Sequence, residues 1–248
     1  MKLEGIASLL EFDPYSQSSA GGHNLGEVVK CADGRWFRFN KAVATNHAGY
    51  LQQGPTIVAD AQNMTCLATV AIGGTLVTAT TGTTATTAGI YDEGYLIVNA
   101  GMGLGQISKI KHNYLSSATA SLSSTGTAYG MIIDLFDPLL VALDTTSKIS
   151  IVHNTYLNTQ EIASLTARAA GIPLIAQTAA NYGWLQVRCV AMAYSADGAG
   201  TTGLMTTSSG SGAGGVINYV TGGVNQTIGY FLYTAANSEY RPVFLEIN

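Results

Sequence analysis

Residues 33–39, DGRWFRF, place an Asp-Gly turn directly before a run of aromatic residues, and this order decides the fold. Glycine accepts the backbone angles of a tight turn, and aromatic residues favour extended backbone. The same order of turn glycine, large aromatic and apolar run recurs at residues 93–98 (EGYLIV) and 182–187 (YGWLQV). Because the spacing is irregular, the three stretches indicate strands entered from similar turns and not a sequence repeat.

From Glu27 onward, short runs rich in Val, Ile, Thr, Tyr and Phe alternate with Gly or Asn/Asp turns, which is typical of strands. Residues 75–87 are rich in Thr and predict one strand followed by an exposed turn. Residues 195–215 predict two Gly/Ser loops that flank a short strand at residues 204–207.

Helix signals are scarce. The best candidate covers residues 158–170, with Thr159 as a possible cap and Ile162, Leu165 and Ala169 on one face. It ends at residues 171–173 (GIP), which would also suit a linker.

The sequence therefore predicts an all-β protein with little helix, made of two sandwich-like or barrel-like units and an extended N-terminal arm. The predicted boundaries are an arm at residues 1–26, a first β domain at 27–158 and a C-terminal β domain at 159–248.

The arm combines an apolar piece with a loose Ser/Gly tract at residues 13–22, which has little means of packing on itself. Such arms often fold on a neighbouring chain, although a frayed terminus without a role is an equal alternative. Sheet edges near residues 27–30 or 243–247 are expected either to extend a neighbour's sheet or, for the second stretch, to form an internal core strand. The residues expected to bind a partner are Leu3, Ile6, Leu9, Leu10 and Phe12.

The composition favours a subunit of an assembly. Charged residues make up 10% of the 248 residues and hydrophobic residues 47%, whereas an average soluble domain has about 25% charged residues. A surface built mainly from Thr, Ser, Asn, Gln and Gly suits a chain packed against neighbours. A secreted or extracellular β-protein is the alternative. The net charge of −4, with Lys and Arg scattered singly, predicts no nucleic-acid binding.

The cysteines Cys31, Cys66 and Cys189 are far apart and predict small buried side chains, without a disulfide framework or a zinc site. No apolar run reaches the ~18 residues of a membrane helix, and the first residues lack a signal-peptide layout. The chain is therefore expected to be made in a cytoplasm, with no membrane partner.

No stretch carries a catalytic signature, so the chain is predicted not to be an enzyme and to need no cofactor. The Gly-rich residues 100–106 (AGMGLGQ) lack the spacing and the following helix of a dinucleotide-binding loop, and predict a hairpin connection. The four histidines, His23, His47, His112 and His153, are isolated and show no metal-binding spacing. No G-x-S-x-G stretch marks a hydrolase.

Seven stretches combine turns and strands in a further pattern. They are residues 92–99 (DEGYLIVN), 105–113 (GQISKIKHN), 133–139 (IDLFDPL), 142–148 (ALDTTSK), 181–187 (NYGWLQV), 228–232 (IGYFL) and 239–247 (EYRPVFLEI). Together they resemble the head decoration, or cement, proteins of tailed bacteriophages. This resemblance implies a virion surface protein, commonly trimeric, that binds the major capsid protein outside the head and stabilises contacts between capsid subunits. It carries no active-site residues to transfer.

Two other classes of function stay open. A phage tail or receptor-binding module would stack a sugar on Trp36, Tyr95 or Trp184, whereas each of these aromatic residues also begins a strand and suits a buried core. A hydrolase acting on a cell-surface polymer would need paired carboxylates in a cleft, and no stretch indicates them.

Overall fold

A computed structural model describes residues 3–4, 12–81, 86–114, 129–162, 166–195, 203–207, 214–218, 226–234 and 238–247. These residues contain seventeen β-strands, one 3-10 helix at Ala59–Ala61 and no α-helix, so the all-β prediction is confirmed. The strands are β1 (Leu3–Glu4), β2 (Val28–Cys31), β3 (Trp36–Lys41), β4 (Gln52–Gln53), β5 (Met64–Thr65), β6 (Leu76–Thr81), β7 (Tyr95–Ala100), β8 (Ile107–Asn113), β9 (Tyr129–Leu135), β10 (Lys148–Val152), β11 (Gln160–Glu161), β12 (Ala169–Pro173), β13 (Tyr182–Ser195), β14 (Gly203–Thr207), β15 (Val216–Asn218), β16 (Thr227–Phe231) and β17 (Glu239–Glu246).

The chain folds into two units, and the second is inserted in the first. Unit 1 comprises Met1–Thr56 and Thr155–Asn248, and unit 2 comprises Ile57–Asn154. This division differs from the predicted domains at 27–158 and 159–248. The reason is long-range pairing: β3, expected in the first domain, pairs antiparallel with β13 of the C-terminal part, from Tyr182 opposite Lys41 to Arg188 opposite Trp36.

The predicted helix at residues 158–170 is wrong. Within this stretch, β11 pairs with β4, and β12 begins at Ala169 and pairs with both β4 and β13. Leu165 lies outside the described residues. Ile162, Ala169 and Ile172 are all buried in unit 1, so burial and strand pairing outweigh a weak local helix preference. Residues 171–173 are part of a buried strand and not a linker.

Unit 1 is built on an eleven-stranded sheet in which β13 is the central strand. The first half of β13 pairs with β3, and the second half pairs with β17 over eight residue pairs, from Arg188 opposite Glu246 to Ser195 opposite Glu239. The change of partner falls at a bulge between Gln186 and Arg188, and Cys189 there has a positive φ of 76°. The buried Gln186 amide donates to the carbonyls of Arg188 and Val190 at 3.0 and 2.8 Å, which satisfies backbone groups that a bulge leaves without a ladder partner.

Unit 2 is a six-stranded antiparallel sheet in the order β5-β10-β7-β8-β9-β6. A bridge between Cys66 and Ala79 brings its two ends together, so the sheet is nearly closed into a barrel. Strands alternate inward and outward side chains, and residues such as Leu96, Ile110 and Ile133 fill the interior. The Gly-rich residues 100–106 connect β7 to β8, which confirms the predicted hairpin.

The close approach of β16 to β17 requires glycine at Gly229, where φ is +145° and an added Cβ would lie 1.9 Å from the Phe244 carbonyl oxygen. We expect Gly229→Ala to lower the free energy of unfolding of unit 1 by roughly 2–4 kcal/mol, because the strands must move apart. Both tryptophans, Trp36 and Trp184, lie in unit 1, so urea unfolding followed by tryptophan fluorescence measures this unit.

Gly34→Ala is the matched control, because Gly34 also has a positive φ, of 88°, but its added Cβ would meet only the Cys189 Sγ at 3.7 Å. Gly34→Ala should lower the free energy of unfolding by about 1 kcal/mol, because only the backbone conformation is penalised. Equal losses in the two variants would show that the contact with Phe244 is not the cause.

Candidate interaction surfaces

Only two of the five residues predicted to bind a partner, Leu3 and Phe12, lie among the described residues. Ile6, Leu9 and Leu10 lie outside the described residues. The backbone of Leu3 pairs with Cys31 at the edge of unit 1. The ring of Phe12 lies 5.3 Å from that of Phe37 and 4.9 Å from that of Trp184, measured between centroids, so this side chain packs in the core of its own unit instead of lying across a neighbour.

Neither of the two sheet edges expected to pair with a neighbour is free. β1 pairs with the outer side of β2, which contains residues 28–30 of the first predicted edge. β17 lies between β13 and β16. Val243, Leu245 and Ile247 are buried, which confirms the alternative that residues 243–247 form an internal core strand.

The three aromatic residues considered for sugar stacking have different environments. Trp184 is 5% exposed and belongs to a core cluster, as the buried interpretation predicts. Trp36 is partly buried, with the Lys30 Nζ 4.1 Å and the Arg188 guanidinium carbon 4.6 Å from its ring centroid. Tyr95 belongs to unit 2 and is 47% exposed, so the buried interpretation is wrong there. Of the three rings, that of Tyr95 is the most exposed.

Three loops at one end of unit 2, together with the first residue of β8, carry six large, exposed apolar side chains, a surface called here the apolar tip. Leu140 exposes 81% of its surface, Ile72 70% and Leu104 68%. The six side chains together expose an apolar area on the order of 600 Å², which is the upper end of the range for the largest apolar patch of a typical monomer. The apolar tip comprises Ile72, Met102, Leu104, Ile107, Leu140 and Val141.

The side chain of Gln106 joins two of these loops. Its Oε1 accepts hydrogen bonds from the N–H groups of Leu140 and Val141, both at 2.9 Å, and its Nε2 donates to the Val141 carbonyl at 2.9 Å. The third loop is attached through Leu139, which exchanges backbone hydrogen bonds with Gly73 and Gly74. The apolar side chains are thus held on a fixed backbone, which lowers the entropic cost of binding a partner.

A second apolar surface lies on unit 1, where β13, β17 and β16 turn one face of the sheet outward. This surface is called here the outer face. Strand register sets Val190 beside Phe244 and Phe244 beside Tyr230, and sets Met192 beside Pro242. The inward residues between them, such as Ala191, Val243 and Leu245, belong to the core. The outer face comprises Val190, Met192, Tyr230, Leu232, Tyr240, Pro242 and Phe244.

Three of the four histidines pair with carboxylates, which isolated positions in the sequence did not indicate. His23 Nδ1 lies 3.3 Å from Glu27, His47 Nδ1 2.8 Å from Glu161 and His112 Nδ1 2.9 Å from Asp92. Within the described ranges, no group of three or more His, Cys, Asp or Glu residues could hold a metal ion.

His153 and the cysteines have perturbed surroundings. Burial lowers the pKa of His153, whose ring stacks on Tyr91 with centroids 4.2 Å apart, and this favours the neutral imidazole. Burial raises the pKa of the Cys66 thiol to about 11 and also raises that of Cys31, so both thiols are unreactive core residues, as predicted. Cys189 is only half-buried, so the prediction of a buried side chain is wrong there.

The part of the chain that the structure describes contains no helix long and apolar enough to cross a membrane. No protein-family model matches the chain, and neither a curated protein nor a solved structure shows significant similarity to it. The two surfaces are therefore the features from which a function can be inferred.

Sequence analysis missed both surfaces. The apolar tip had a signal, because Leu104 stands among glycines and Leu140-Val141 follows a proline, positions where loops usually carry polar residues. The outer face had a weaker signal, because residues 189–194 (CVAMAY) are apolar at successive positions instead of alternating.

Removing the Gln106 side chain should release the loops of the apolar tip. We expect Gln106→Ala to speed hydrogen exchange at the amides of Leu140 and Val141 by roughly tenfold, because each loses an acceptor worth about 1–1.5 kcal/mol. Gln106→Glu is the control, since a carboxylate still accepts from both N–H groups. Unchanged exchange in Gln106→Ala would mean that other contacts hold the loops.

Proposed function

We propose that this chain is a virion structural protein that decorates the outside of a phage head and stabilises the contacts between major capsid subunits. The observation that carries the proposal is that each of the two units has its own large apolar surface, the apolar tip on unit 2 and the outer face on unit 1. A protein with two separate contact surfaces can hold two partners at once, whatever the angle between its units.

The area of the apolar tip supports docking on a protein. Its roughly 600 Å² approaches the ~800 Å² that each partner contributes to an interface of standard size. The surrounding loops carry acidic residues, Asp137 and Asp144, and no cluster of Lys or Arg. A partner of protein surface therefore fits better than an anionic lipid surface or a nucleic acid, which attract basic groups.

Stabilisation of the head follows from linked contacts. A shell filled with packed genome is under internal pressure, and the separation of two capsid subunits would have to break every contact made by a protein that bridges them. Bridging converts the second contact into an intramolecular one with a high effective concentration, so modest contacts add up to strong binding. In this proposal the chain makes no covalent bonds and needs no cofactor, and it is built in the host cytoplasm before it joins the virion.

One feature favours the alternative of a receptor-binding or carbohydrate-binding module. A cavity of about 150 Å³ lies between the N-terminal tract and the sheet of unit 1, lined by Gln17, His23, Phe39, Tyr182 and Trp184, among other residues. Aromatic rings beside polar groups suit a sugar. Measuring how tightly the chain binds purified heads and how tightly it binds a panel of glycans distinguishes the two functions.

Charge placed in the apolar tip should abolish head binding. We expect the double variant Leu104→Asp/Leu140→Asp to lose co-sedimentation with heads purified from the phage that encodes the chain, by at least a hundredfold in affinity, because two carboxylates would be buried unpaired. Both side chains are exposed in the free chain, so folding should be kept.

Val152→Asp is the matched control. Val152 is exposed and pairs with Tyr95 at one end of β10, whereas Lys148 at the other end pairs with Ala100, next to the loops of the apolar tip. This variant should bind as the unmodified chain does. The proposal is overturned if the unmodified chain does not bind heads, or if heads without it withstand heating equally well. Binding to glycans in place of heads would select the alternative.

A further inference from the structure

We infer that the outer face of unit 1 is a self-association surface, which pairs with the outer face of a second copy of this chain around a twofold axis. A chain paired in this way cannot use its outer face on a capsid subunit, so in the proposed function a pair of chains, with one apolar tip each, bridges two capsid subunits. The inferred pair also departs from the trimer that the resemblance implies.

The outer face is a sheet surface with an unusual composition, and at one end the ring of Tyr50 stacks on Tyr194 beside Tyr240. Its apolar members Val190, Met192, Tyr230, Leu232 and Tyr240 are between 37% and 51% exposed. An ordinary solvated sheet face carries polar residues at these positions, because side chains alternate between core and water. Here both faces of β13 and β17 are apolar, which is the pattern of a sheet covered on both sides.

The size of the outer face suits a pair. Its exposed apolar area is on the order of 500 Å², so two copies would bury about 1,000 Å² in total, which reaches the size of a specific interface. Interfaces between identical subunits are also more apolar than interfaces between different proteins. A total of about 1,000 Å² is the lower limit for a specific interface, so the pair depends on burial of the whole outer face.

The charges on the outer face select the second copy as the partner. At one end of the face, the register sets Arg188 of β13 directly beside Glu246 of β17, and both side chains are exposed. A twofold axis that runs between these strands, parallel to them, sets β13 of one copy over β17 of the other. Arg188 of each copy then faces Glu246 of the other copy, which makes two ion pairs.

The same axis matches the apolar side chains. Each outward residue of β13 faces the β17 neighbour that it has in its own chain, so Val190 meets Phe244, and Met192 meets Pro242. At these two positions a slender side chain lies opposite a ring, and at the far end Tyr194 meets Tyr240. The axis keeps the strands of both sheets aligned, which is a common arrangement of packed sheets. Self-complementarity of this kind is what a twofold contact requires.

Charge reversal tests the pairing. The unmodified chain, of 25.8 kDa, should sediment with twice that mass in analytical ultracentrifugation. Arg188→Glu alone and Glu246→Arg alone each set like charges opposite one another, and each should weaken the pair at least tenfold. The double variant Arg188→Glu/Glu246→Arg exchanges the charges and should restore pairing. Val152→Asp, on unit 2, should have no effect.

A second variant tests the apolar contact without a change at the ion pairs. Met192→Asp should give a monomer with unchanged tryptophan fluorescence, because the side chain points away from the core. The inference is overturned if the unmodified chain is a monomer or a trimer even at concentrations about tenfold above those at which it binds heads. It is also overturned if the double charge variant does not recover the pairing affinity that the single variants lose. Head binding by the Met192→Asp monomer is measured separately, so failure of one proposal is distinguishable from failure of the other.

Discussion

The architecture of unit 1 depends on the bulge in β13, where one strand leaves β3 and joins β17. Gln186 donates to two carbonyls of the bulge, and Cys189 adopts a left-handed backbone conformation there. A continuous ladder would need a single partner along all fourteen residues of β13. The bulge instead lets two sets of strands share one central strand, so that segments distant in sequence form one sheet.

Register downstream of the bulge decides which side chains meet the core and which lie on the outer face. Because side chains alternate strictly along a strand, the placement of Ala191 and Ala193 in the core sends Val190 and Met192 outward. Unit 2 reaches a similar result by another route. Its barrel has a filled interior, and its surplus of apolar residues lies in the loops that form the apolar tip. Both surfaces explain in physical terms how a chain with 10% charged residues fits the role of an assembly subunit.

Local features could be predicted from the sequence, and features that depend on distant pairing could not. The Asp33-Gly34 turn, the Thr-rich strand β6 and the loop at residues 100–106 carry their own turn chemistry and extended propensity. The insertion of unit 2 depends on β3 meeting β13, for which neither strand carries a local signal. Along β17, the inward Arg241 and the outward Phe244 reverse the usual pattern, so alternation alone could not assign its faces. The apolar tip and the outer face were missed for the same reason, since an apolar residue that packs in a core and one that lies on a surface look alike in a sequence.

The central claim is that protein partners cover both apolar surfaces in the assembled particle, and methionine oxidation measures this directly. Met102 lies in the apolar tip and Met192 in the outer face, both about half exposed, whereas Met64 and Met131 are buried and serve as internal references. Hydroxyl-radical labelling should oxidise Met102 and Met192 in the dilute free chain and at least fivefold less in decorated heads, with Met64 and Met131 protected in both. Oxidation of Met102 and Met192 at the same rate in heads as in the free chain would contradict the account.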